Sequence, residues 1–153
     1  MLKTITIGEK EIKLKSSAAT NILYKKVFGD DVLLKLTEYS KDAKELQKMK
    51  ADMDAVRADE SKTQEEILAA MNEMLNSDVF KRSTTFQSET LPKLAFIMWL
   101  EANTETEKIF SKLNEEQYLF WLMTVDQNEL LAVTGEVIDL WMKGSRTTST
   151  PKN

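Results

Sequence analysis

Three carboxylate pairs, Asp30-Asp31, Glu65-Glu66 and Glu115-Glu116, are the side chains whose type and adjacency suit general acid–base chemistry. Such chemistry requires convergence in a pocket and a shifted pKa. Each pair instead falls where a helix begins, where negative charge is favoured by the exposed N–H groups and the helix dipole. With no His and no Cys in the chain, imidazole bases, thiolate nucleophiles and imidazole or thiolate metal sites are excluded. A Ser/Thr hydrolase or nucleotide enzyme is equally unsupported, because neither G-x-S-x-G nor a glycine-rich phosphate loop occurs. No enzyme is expected, and no cofactor.

Methionine and aromatic side chains carry a different chemistry, that of adaptable apolar contact. Eight Met are present, among them Met49, Met53, Met71, Met74, Met98, Met123 and Met142. An unbranched, polarisable thioether re-packs against irregular surfaces, which suits a protein that holds partners of varied sequence. At helical spacing the same residues also build ordinary cores. Trp99, within an apolar run, is the expected core tryptophan, whereas Trp121 and Trp141 either seal the bundle or rim a groove.

The elements that position these residues follow from periodicity. A chain of 153 residues fits one domain and can remove roughly two-thirds of its unfolded surface from water. Lys+Arg 21 against Asp+Glu 25 leaves a net charge of −4, too little positive field for nucleic acid. Four Gly and two Pro leave little material for a turn-rich β architecture. No stretch approaches the roughly 18 apolar residues of a membrane span, so no membrane partner is expected.

In KTITIGEKEIKLK, Ile5 and Ile7, then Ile12 and Leu14, alternate with polar residues about Gly8, the pattern of a β-hairpin spanning residues 1–15. Its lysines lie on an outward face where charge discourages stray pairing. Helical spacing begins at Ser16, with Ala19, Ile22 or Leu23, and Val27 near one face, and stops at Gly29 before an N-cap at Asp30-Asp31. Val32, Leu36, Tyr39, Ala43, Leu46, Met49, Met53 and Val56 then form one stripe, about 42 Å long if residues 31–58 are a single helix. Residues 41–62 balance six basic against six acidic side chains, a charged helical arm. The stripe Leu46, Met49, Met53, Val56 packs within the chain or forms a short homo-oligomer seam.

Thr63 and Glu66 propose a capping box, followed by Ile67, Leu68, Met71, Met74 and Leu75. Residues 76–90 fit either loop or helix start. LPKLAFIMWLEA, residues 91–102, is apolar nearly all round, with Pro92 in a first turn or at a kink. Asn114 and Gln117 cap YLFWLM, residues 118–123, and Asp126 caps a last helix bearing Leu130, Val133, Val137, Leu140 and Trp141 and ended by Gly144. The expected fold is mainly α, a hairpin packed on a bundle of about five or six helices with a long charged arm. The expected organisation is one domain over 1–144, with helices in 16–40, the arm in 41–62, the bundle in 63–144 and a disordered tail in 145–153.

The order of these parts resembles the tail assembly chaperones of long-tailed, siphovirus-type phages and prophages of Gram-positive bacteria. The parts are the hairpin, a helix with YKKVFGDD, a variable charged middle, LPKLAFIMWLEA, EEQYLFWLMTVD and EVIDLW before a Ser/Thr/Lys tail. The likeness covers residues 1–29 and about 86–153, and the segment 41–62 departs from it. It implies a non-catalytic protein of the host bacterial cytoplasm that binds the aggregation-prone tape measure protein, helps recruit tail tube protein, and is absent from the mature virion. It also implies, as a further partner, a longer frameshift product of the same gene. Candidate partner contacts are Tyr118, Trp121, Leu122, Trp141, Met142, Met49 and Met53. The competing reading is a structural or adaptor protein retained in the particle.

Overall fold

The computed structural model describes residues 1–145. It is mainly α-helical with an N-terminal hairpin, as the periodicity requires. The helices are shorter and more numerous than five or six. The described residues group into two compact units. The first comprises residues 1–33 and 87 onward, the second residues 34–86.

In the first unit, β1 (Leu2–Ile7) pairs antiparallel with β2 (Lys10–Lys15) in the register Ile5↔Ile12 and Ile7↔Lys10. Gly8 turns the chain at φ 65°, a conformation that only glycine adopts without strain. The pleat sends Ile5, Ile7 and Leu14 inward, and Ile12 is half-buried. Helix α1 runs Thr20–Phe28, four residues later than the sequence pattern: the Ser16 N–H still donates to the Met1 carbonyl and the Ser17 N–H to the Thr20 hydroxyl oxygen, both at 2.9 Å, while the Ser17 and Thr20 hydroxyls donate to the Glu101 carboxylate at 2.5 and 2.6 Å. Gly29 ends it at φ 81°, its N–H donating to the Lys25 carbonyl. Leu23 and Tyr24 face inward, whereas Ile22 is exposed.

Helix α5 (Leu91–Asn103) is the core of this unit, with Leu94 through Met98 wholly buried. A π-helical turn, Phe86–Thr90, precedes it and resolves the open segment 76–90. Pro92 has no N–H for the carbonyl four residues back, Ser88, and the Gln127 side-chain amide donates to that oxygen at 3.3 Å. After a 3-10 turn at Thr106–Lys108 come α6 (Ile109–Lys112) and α7 (Glu115–Leu122). Asn114 caps α7 by accepting from the Gln117 N–H at 2.9 Å.

The last helix of the sequence pattern is two: α8 (Gln127–Ala132), capped by Asp126, and α9 (Thr134–Ser145). β-Branched Val133 and Thr134 followed by Gly135 form the weakest helical stretch there, and the chain breaks at Val133. Gly144 does not terminate α9. A Cβ at that position would lie 1.8 Å from Ser16 Oγ, so glycine is needed for close approach. The Ser16 hydroxyl then donates to the Leu140 carbonyl at 2.6 Å. The expected tail lies outside the described residues, apart from Ser145.

The second unit opens with α2 (Val32–Ala58), whose first two residues belong to the first unit. It is one continuous helix. With it come α3 (Gln64–Leu75) and α4 (Asp78–Thr85). Thr63 accepts from the Glu66 N–H, as the capping box proposes, and Ser77 caps α4 through the Phe80 N–H. Arg82 binds Asp42 in a two-pronged ion pair, both N–H···O distances 2.9 Å, joining α4 to α2. Tyr39 and Phe86 stack at 4.2 Å between centroids. Within this unit α2 is tied to α4 by that ion pair.

Candidate functional site

The candidate site is the apolar space that the second unit leaves unsealed. Helix α2 turns Leu46, Met49, Met53 and Val56 toward α3, on the three- and four-residue spacing of one face. Met53 is buried and the other three are half-buried. Helix α3 buries no residue: Ile67, Met71 and Met74 are half-buried, Leu68 and Leu75 exposed. An apolar helix with no sealed side chain has surface to spare.

Two clefts result. One, about 240 Å³, lies between Met49, Met53 and Val56 of α2 and Ala70 and Met74 of α3, with Asp52 and Glu73 contributing carboxylates. The second, about 260 Å³, is lined by Leu46, Met53, Met74 and Phe80, with Lys50, Asp54 and Arg57 beside them. Met53 and Met74 line both. Clefts that enclose a small ligand run to about 300–1,000 Å³, so each of these suits a side chain or two from a docked helix. The Arg57 guanidinium reaches the Met71 sulfur at 3.4 Å, covering the flank of α3.

One ion pair ties α2 to α4 in the same unit. The Arg82 guanidinium, hydrogen-bonded to Asp42, holds that carboxyl below its ordinary 3.8. The pair is thus charged at neutral pH. Among the described residues no group of three or more carboxylates is placed to hold a metal ion, and no helix is long and apolar enough to cross a membrane.

The family models, curated proteins and solved structures searched contain no match to this chain.

Of the residues named from sequence, Met49 and Met53 line the clefts together. The aromatic candidates are elsewhere and inward. Tyr118 and Trp121 are 7% and 5% exposed and Trp141 is 1% exposed, too little to offer a binding face while the fold is closed. Tyr118 packs edge-on against Phe28 and Phe96, and Trp121 lies 5.9 Å from Phe96 and 6.2 Å from Trp99. Burial, with Glu89 adding to it, pushes the Tyr118 hydroxyl pKa up to about 12. Trp141 donates to the Asn21 side chain at 2.6 Å. These three rings seal the first unit, and Leu122 and Met142 are half-buried beside them. Trp99, expected to be the core tryptophan, is only half-buried, with Phe96 and Trp121 against its ring.

The sequence pattern did not single out the outward residues of α7 and its C-cap as a face. Leu119, Phe120 and Met123 share the opposite face from Tyr118 and Trp121, and Met123 is 83% exposed. YLFWLM is apolar at every position, so hydrophobicity carries no phase there. Counting turns from the Asn114 cap would not have said which face meets α5.

Proposed function

We propose that this chain is a non-catalytic helix-holding protein of the phage tail assembly chaperone type. Its client would be the tape measure protein, kept in solution until tail tube protein takes its place. The observation that carries the reading is α3: an apolar helix without a buried residue, bordering two methionine-lined clefts that meet at Met53 and Met74. Thioethers conform to client side chains of different shapes, and release needs only competition, with no bond broken. The resemblance of the hairpin, LPKLAFIMWLEA and EVIDLW segments to those chaperones supplies the biological setting.

Co-expression with a phage tape measure protein tests it. The client is expected to move from pellet to supernatant, and Met74→Glu, which places a charge between the clefts, is expected to abolish that gain while far-UV circular dichroism is preserved. An insoluble client, with both proteins well expressed, overturns the proposal. Mass spectrometry of purified particles adds a second criterion: stoichiometric retention of this chain would make it a structural adaptor.

A further inference from the structure

Along a flank of α2 lies a further depression, an open trough of about 590 Å³ lined by Lys41, Lys44, Glu45, Lys48, Met49 and Asp52, of which Met49 and Asp52 also border the first cleft. Every one of these residues belongs to α2, so the trough has one wall. Lys41, Glu45, Lys48 and Asp52 are spaced four, three and four residues apart, which places them on one face, and all four are exposed.

The lining has an internal symmetry. Reversing the helix about the midpoint between Leu46 and Gln47 exchanges 41 with 52, 44 with 49 and 45 with 48, so the six residues map onto themselves. Each exchange is chemically favourable: Lys41 meets Asp52, Glu45 meets Lys48, and the Lys44 methylenes meet the Met49 thioether. A parallel, in-register pair would set each charge against its own kind. The antiparallel pair satisfies a two-fold axis, which requires that a contact from i to j be repeated from j to i.

We propose that the trough is filled by the same helix of a second copy of this chain, α2 lying antiparallel on α2 with Lys41–Asp52 and Glu45–Lys48 ion pairs formed twice each. The missing wall is then supplied by the partner's Met49 and lysine stems, whose ammonium groups reach water past the apolar contact. Exposed ion pairs are individually weak and are screened by salt, so the association is weak and salt-sensitive. The trough shares Met49 and Asp52 with the first cleft and no residue with the second.

Sedimentation equilibrium of the full chain tests this. At hundreds of micromolar and low salt the weight-average mass is expected to rise from 17.5 kDa toward twice that value, and to return toward the monomer in 1 M salt. Lys41→Asp faces Asp52 of the second copy twice per dimer and is expected to weaken association about tenfold or more. Adding Asp52→Lys to it is expected to restore association. Both positions are exposed, so circular dichroism should stay unchanged in the single and double variants. A monomer at every concentration in low salt overturns the inference, as does a dimer indifferent to Lys41→Asp, or one that the double reversal fails to rescue.

Discussion

Helices α5 and α3 are of nearly equal length and both rich in Leu, Ile, Met and Ala, yet they end in opposite environments. In α5 every side chain from Leu94 to Met98 is wholly buried, whereas α3 buries none. The first unit surrounds its central helix with a hairpin, α1, α7 and α9. The second has only α2 and α4 to set around α3, and much of α2 is charged. A helix gains stability mostly from the apolar face it seals, so the second unit leaves apolar surface open at a cost in local stability.

The largest test of that contrast is truncation. Phe96→Ala is expected to cost about 3–5 kcal/mol and Leu94→Ala about 2–5 kcal/mol, since both side chains are wholly buried and their loss leaves a cavity. Met71→Ala in α3 is expected to cost less than about 1 kcal/mol, because little surface leaves water there. Urea unfolding followed by circular dichroism measures all three. Equal losses in α5 and α3 would erase the distinction.

A second test probes tightness within α9. Gly144→Ala must displace Ser16, whose hydroxyl and backbone carbon would lie 1.8 and 2.7 Å from the new Cβ. A loss of about 1–3 kcal/mol is expected from such overpacking. Gly135→Ala meets nothing within 4 Å and should stabilise by up to about 1 kcal/mol through helix propensity. Thermal unfolding of the two variants should shift in opposite directions.

The smallest effects are in pH, and the units should respond at opposite ends of the scale. Asp42 has a depressed pKa, so its contribution is present above the ordinary 3.8 and lost as pH falls through its folded value. Tyr118 has a raised pKa, so its contribution is intact below 10.0 and lost as pH rises through about 12. All three tryptophans belong to the first unit. In acid, helical signal should therefore fall before tryptophan emission shifts; in alkali, emission should shift with tyrosinate formation. Coincident transitions at both ends would show one cooperative unit.

Local devices were readable from the sequence because they depend on near neighbours. The Gly8 hairpin, the Gly29 stop, and the caps at Thr63, Asn114 and Asp126 each satisfy backbone groups a few residues away. Met49 and Met53 were readable as a shared face for the same reason. The orientation of YLFWLM was not, since which of Tyr118 or Phe120 points inward depends on α1 and α5, distant in sequence. Nor was the role of Gly144, which answers to Ser16 on the other side of the chain.

Composition and periodicity by themselves determined a mainly helical chain with one hairpin and without imidazole or thiol chemistry, because turn propensity, capping and side-chain inventory are properties of short segments. Only the tertiary structure decided which apolar residues are spent on the core. Tyr118, Trp121 and Trp141 are enclosed because several elements converge on them, and Met49 and Met74 stay half-open because α2 and α3 have too few neighbours to cover them. Burial is a property of what surrounds a side chain, and that is set by contacts between residues far apart in the chain.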